Sequence, residues 1–85
     1  MAAEQKIISP IPGVFYRRPS PEEEVYVKEG QSVNAGDTVG LIEVMKNFYE
    51  VKAEHNGILQ KFLVENEQVI NAGEELAVLL SEESI

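Results

Sequence analysis

Two stretches of this chain repeat one another. Residues 27–43 read VKEGQSVNAGDTVGLIE and residues 64–80 read VENEQVINAGEELAVLL, so that Val27 and Val64 stand 37 positions apart. Asn34-Ala35-Gly36 recurs as Asn71-Ala72-Gly73, Gln31 as Gln68, and Val33, Asp37, Leu41 and Ile42 as Ile70, Glu74, Val78 and Leu79. Self-similarity at this scale implies two copies of one supersecondary unit that bury their apolar faces against each other. Upstream, Gly13-Val14-Phe15 parallels Gly57-Ile58-Leu59. Seven steps separate Gly57 from Val64, whereas fourteen separate Gly13 from Val27. The first unit therefore carries about seven extra residues, within 16–24. Pro19 and Pro21 lie inside that insertion, fix their own φ and lack N–H donors, and push Arg18 and Ser20 toward extended conformations. Such a segment cannot enter a sheet interior or continue a helix, and is expected to protrude as a stiff loop.

Turn chemistry is dense along the chain: Pro10, Pro12-Gly13, Gly30, both Asn-Ala-Gly tripeptides and Asn56-Gly57. Short runs of Val, Ile, Leu, Phe and Tyr lie between, with candidate strands at 6–9, 14–16, 25–28, 38–44, 48–53, 58–64 and 76–81. Their spacing predicts an all-β, flattened antiparallel barrel or sandwich with a pseudo-two-fold repeat. A single domain is expected over 1–85, with its core at about 6–81 and a frayed tail at 82–85. The spacing of Leu41, Val44, Met45 and Phe48 also fits a helix, but the repeat and the β-branched and aromatic content favour strands.

Composition narrows the chemistry. The chain has 85 residues, no Cys and one His, and a formal net charge of −8. Thiol catalysis, zinc fingers, iron–sulfur sites and multi-His metal sites are excluded. The acidic balance argues against nucleic acid or an anionic membrane as partner, and no apolar run approaches the length of a spanning helix. His55 reads as a turn residue, and Glu22, Glu23 and Glu24 as a solvated run rather than a cation site. Arg17 and Arg18 could hold a carboxylate or a partner, or could be plain loop residues.

The stretch 38–53 reads as a hairpin whose two-residue loop is Met45-Lys46. That register sets Val44 against Asn47, Glu43 against Phe48, Ile42 against Tyr49 and Leu41 against Glu50, and gathers Ile42, Val44, Tyr49 and Val51 on the core face. The loop chemistry breaks the local rule, because such turns need positive φ and favour Asn-Gly. Local rules broken in an otherwise consistent fold mark candidate functional sites. The bland alternative is a surface Lys with Met45 folded back into the core.

Glu43-Val44-Met45-Lys46 resembles the attachment motif of the biotinyl/lipoyl domain family, in which a Lys preceded by Met receives biotin. The resemblance runs from Ile8 to Leu80. Ser9-Pro10-Ile11-Pro12-Gly13 is similar to the family's opening strand and turn. The residues Tyr16, Arg17, Arg18, Pro19, Ser20 and Pro21 resemble the protruding thumb of the biotinyl domains in acetyl-CoA carboxylase carriers. Two positions depart from the pattern: Val44 where the family commonly has Ala, and Asn47 where it commonly has Met. Asn tolerates positive φ well, so the turn is expected to survive.

The resemblance implies a carrier rather than a catalyst. Biotin would be joined to Lys46 by a biotin protein ligase that reads Val44, Met45 and Asn47, and would shuttle carboxylate from a biotin carboxylase to a carboxyltransferase for fatty acid synthesis. An ordinary lysine amine, with a pKa near 10.4, is neutral in only about one part in 2,500 at pH 7, so the ligase has to supply the base and the activated acyl group. The cytoplasm is the expected location, or a plastid or other organelle matrix if the domain is cut from a longer chain. The neighbouring alternatives are a lipoyl carrier of a 2-oxo acid dehydrogenase complex and an unmodified adaptor barrel.

Overall fold

Alternation of buried and exposed residues along short strands builds two layers in the computed structural model, which describes residues 2–82. The expected tail at 82–85 falls almost wholly outside the described residues. The strands are β1 (Ala2–Ile8), β2 (Gly13–Tyr16), β3 (Ser32–Val33), β4 (Thr38–Val44), β5 (Asn47–Lys52), β6 (Gly57–Phe62), β7 (Gln68–Ile70) and β8 (Glu75–Glu82). They form two four-stranded sheets, β1-β8-β6-β3 and β5-β4-β2-β7, with every pairing antiparallel. Among the described residues no strand pairing closes one sheet onto the other, so the arrangement is a sandwich rather than a closed barrel. Among the described residues no helix is long and apolar enough to cross a membrane.

Replacing β1, β2, β3 and β4 by β5, β6, β7 and β8 turns one sheet order into the other. The repeat is thus a pseudo-two-fold rotation, and the hydrogen bonds of its turns are duplicated. Gln31 Oε1 accepts from Lys28 N at 3.0 Å, and Gln68 Oε1 from Glu65 N at 2.8 Å. Asp37 Oδ2 accepts from Asn34 N at 2.8 Å, and Glu74 Oε1 from Asn71 N at 2.9 Å. These carboxylates tie off the two Asn-Ala-Gly turns, whose glycines adopt φ of 93° and 85°. The equivalent of Gly30 (φ 91°) is Glu67, which holds φ 66° despite its side chain. The core is duplicated too: Phe15 with Leu59, Val33 with Ile70, Val39 with Leu76, Ile42 with Leu79 and Val27 with Val64 are all buried. Burial of this kind stabilises by roughly 1.5–3 kcal/mol per large apolar side chain.

Several strand expectations are corrected. Residues 25–28 form no strand: Val27 drops into the core, Tyr26 N donates to Arg17 O at 2.9 Å, and Lys28 N turns to Gln31. Strand β6 stops at Phe62 for the matching reason, since Val64 occupies the place equivalent to Val27. Strands β3 and β7, of two and three residues, are too short to leave a periodic signal. Strand β1 begins at Ala2 rather than Lys6, because it pairs along the length of β8. Gly57 is not a turn residue but opens β6, where a Cβ would strike the Leu80 backbone; its counterpart Gly13 packs equally closely on the Glu43 carbonyl.

Candidate functional site

Strands β4 and β5 pair as Val44 with Asn47, Glu43 with Phe48, Ile42 with Tyr49 and Leu41 with Glu50. Only Met45 and Lys46 remain for the loop. Their φ angles are 50° and 69°, the positive pair that joins tightly twisted antiparallel strands. Each non-glycine residue in that region costs about 1–2 kcal/mol, which the flanking ladder holds in place. Met45 is 89 % exposed and so does not fold back into the core, and Lys46 is exposed beside it. Asn47 is not where positive φ falls; it begins β5 in extended conformation, so its tolerance of that region is not used. Val44 is half-buried and lines a shallow recess with Pro10, Ile11, Pro12 and Tyr49.

The core-face expectation holds for Ile42 and Val51, both buried, but not for Tyr49, which is 49 % exposed. Tyr49 borders the open recess that it shares with Val44, Pro10, Ile11 and Pro12 instead of being covered by the core.

Beside the hairpin, residues 17–23 leave the sheet as a series of bends. Pro19, Pro21, Glu22, Glu23 and Glu24 are exposed, as expected of a protruding segment, but Arg17, Arg18 and Ser20 are half-buried. Arg17 is a structural anchor: its guanidinium carbon lies 4.1 Å from the centre of the Phe62 ring, its N donates to Asn66 Oδ1 at 2.8 Å, and its carbonyl receives Tyr26 N. A cation over an aromatic face contributes about 0.5–2 kcal/mol. Ser20 O accepts from Glu23 N at 3.1 Å to close the segment's own turn. Arg18, Pro19, Ser20 and Pro21 border an open groove completed by Tyr16, Phe48, Asn66 and Glu67. The Tyr16 and Phe48 rings lie 6.1 Å apart, centre to centre, on its floor.

Tyr16 links this groove to the hairpin. Its hydroxyl donates to Glu43 Oε1 at 2.8 Å. That bond, then burial, then the charges of Glu43 and Glu67 push the phenol above its usual value. Asn66 escaped the sequence reading, and Glu43 was read there only as the first residue of the attachment motif and the partner of Phe48, not as the acceptor for Tyr16. For Glu43 a signal existed: its counterpart in the second unit is Leu80, so a carboxylate stands where the repeat needs only an apolar residue. His55 sits in an exposed bend, and among the described residues no three His, Asp or Glu side chains are grouped to hold a metal.

Known proteins resemble the chain in sequence and fold. A family described as biotin-requiring enzyme matches residues 5–79. The biotin carboxyl carrier protein of acetyl-CoA carboxylase from Porphyra purpurea is 40% identical over 70 residues, which are 82% of this chain and 45% of that protein. The protein of the same name from Streptococcus pyogenes is 41% identical over 75 residues, 87% of this chain and 45% of its own length. This chain thus spans under half the length of these relatives. The urea carboxylase of Kluyveromyces lactis superposes with a TM-score of 0.75 at 31% identity, over 91% of this chain and 6% of that one. A single-chain long-chain acyl-CoA carboxylase gives a TM-score of 0.77 at 23% identity over 95% of this chain and 7% of its own, a likeness of fold. With its duplicated sandwich and its Met-Lys hairpin tip, the chain belongs to the biotin-requiring enzyme family of biotinyl/lipoyl domains.

Proposed function

We propose that the chain is a biotin carboxyl carrier domain and that Lys46 is its attachment site. The observation that carries this reading is the tip: one amine at the apex of a two-residue loop, held by a rigid ladder below and open to solvent around it. A biotin protein ligase would supply an activated biotinyl group. The Lys46 amine attacks its carbonyl, the activating group leaves, the amine loses a proton and an amide forms. Met45, Val44 and Asn47 are the residues such a ligase would read next to the nucleophile.

The residues present fit that group. The tip imposes no wall that a tethered cofactor would strike, and the groove bordered by Tyr16, Phe48 and residues 18–21 opens next to it. When bound, biotin supplies the nitrogen that takes up and gives back carboxylate. The chain itself contributes position: a short tether gives effective concentrations of about millimolar at either partner. A biotin carboxylase would load the cofactor and a carboxyltransferase would unload it, with acetyl-CoA the acceptor suggested by the relatives' names. The domain is then non-catalytic and works in the cytoplasm, or in a plastid for a carrier of the chloroplast kind.

Intact mass after co-expression with a biotin ligase tests the reading. A single biotinyl increment that disappears in Lys46→Arg is the expected outcome. An increment that survives this substitution, or a lipoyl increment under a lipoyl ligase with none under the biotin ligase, refutes it.

A further inference from the structure

The pseudo-two-fold offers an internal control: where the two halves differ on their surfaces, the fold itself does not demand the difference. Cross-strand partners share a sheet face, so Val69, Val14, Glu43 and Phe48 form one outward row across β7-β2-β4-β5. The equivalent row on the other sheet is Ser32, Ile58, Leu80 and Glu4. The second row is apolar in the middle and polar on its edge strands, the usual protection of sheet edges. The first row is inverted. Its carboxylate stands in the middle, and its edges carry Val69 at 74 % exposure and Phe48 at 56 %. With Met45 at the tip, these are the three most exposed large apolar side chains among the described residues. Strand spacing sets Val69 and Phe48 about 14 Å apart, so they frame a face rather than a single contact.

Acidic groups outnumber basic ones around this face. Glu43 and Glu50 lie on it, Glu67 precedes β7, and Glu22, Glu23 and Glu24 are exposed on the neighbouring thumb, against Lys52, which stands 3.9 Å from Glu50, Arg18 beside Phe48 in the groove and Lys46 at the tip. We propose that this outer face, from Val69 to Phe48, is the docking surface for the carboxylating partner, which meets it with an apolar patch rimmed by Lys and Arg. The proposal rests on the carrier reading and says which side of the domain is presented when the tip enters an active site. Apolar edges provide the burial, the acidic surround provides steering and orientation, and loss of the Lys46 charge on modification leaves the surround more uniformly negative.

The test uses the whole chain, isotope-labelled, with an isolated bacterial biotin carboxylase as the probe. Amide shifts are expected at Val14, Leu41, Phe48 and Val69, and not at Ser32, Ile58 or Leu80. Val69→Ser with Phe48→Glu copies the other half's residues, which an intact sheet already accommodates, and is expected to weaken binding about tenfold. The mirror variant, Ser32→Val with Glu4→Phe, is expected to bind like the parent. Should the double variant fail to fold, Val69→Ser alone reports, with a loss of about threefold. Shifts confined to 45–47, shifts on the Ile58 face, unchanged affinity in both variants, or no binding by the parent at millimolar carboxylase each overturn the proposal. Self-association through Val69 and Phe48 in the absence of carboxylase does so too, by assigning the face to a second copy. Biotin incorporation at Lys46 is scored separately, so failure of the carrier reading is told apart from failure of the docking face.

Discussion

At Gly13 a Cβ would lie 2.5 Å from the Glu43 carbonyl oxygen and 2.7 Å from Ile42 Cγ2. Neither neighbour can retreat, since both belong to the central strand of the sheet that carries the tip. Gly13→Ala is therefore expected to cost about 1–3 kcal/mol, measured by urea unfolding, whereas Gly36→Ala meets no atom and is strained only by its φ of 93°. Equal losses at the two glycines would show that close approach is not what Gly13 provides. Tyr16 makes a prediction of another kind. Its phenol is held above the usual value near 10 by its bond to Glu43, then by burial and nearby carboxylates. Because the folded value is raised, the stability it contributes is complete below pH 10 and is lost as pH climbs through the folded value. Tyr26 is raised as well, by burial and then by Glu50 and Glu23. Unfolding free energy is thus expected to fall above pH 10, with a shallower fall in Tyr16→Phe that retains the Tyr26 share. Identical slopes in the two proteins would separate the Tyr16–Glu43 bond from the stability of the fold.

The elements differ in how much of themselves they show in sequence. Strands β4 and β5 were legible to the residue pair, because alternation and a two-residue loop leave one register open. The placement of Tyr49 was not, because a period of two tells which face a residue takes but not whether the core covers it there. Strands β3 and β7 were hidden by their brevity, and residues 25–28 imitate a strand because Val25 and Val27 alternate while serving as plug and connector. The thumb was legible as an insertion from the unequal halves, and its prolines announced that it could not join a sheet. Its attachment was not legible: Arg17 on Phe62 and Asn66 beneath Arg17 N are contacts between segments far apart in sequence. Those contacts decide what the insertion contributes. Deleting residues 18–24 removes the exposed part and spares Arg17, so both sheets are expected to survive with a loss of about 1–2 kcal/mol and an unchanged urea m-value. Extending the deletion through Arg17 should cost visibly more. Loss of cooperative unfolding in the shorter deletion would mean that the thumb is part of the core rather than an addition to it.

For the molecule as a whole, duplication assigns the tip and the two ends of the described chain to equivalent places. Val44 opposite Asn47 corresponds to Ser81 opposite Ala3, so the fold spends one hairpin end on Met45-Lys46 and leaves the other to the ends of β1 and β8. That symmetry was readable from the repeat, but the charge distribution it carries was not, since outer faces obey no period. A formal net charge of −8 on 85 residues is opposed, among the described residues, by two ion pairs: Lys6 with Glu4 at 3.5 Å and Lys52 with Glu50 at 3.9 Å. All four side chains are largely solvated, and exposed pairs of this kind contribute about 0–1 kcal/mol each. Self-repulsion, acting over the roughly 10 Å that 0.1 M salt leaves unscreened, is then the larger electrostatic effect. Melting temperature is expected to rise by several degrees (about 4–8 °C per kcal/mol in a domain of this size) as sodium chloride goes from about 20 to 500 mM. Biotinylation removes one more positive charge and is expected to steepen that rise, readable by circular dichroism on the two forms side by side. A melting temperature that stays flat or falls with salt would mean that local attractions outweigh the net charge, and would remove the basis for expecting a basic partner on the face beside the tip.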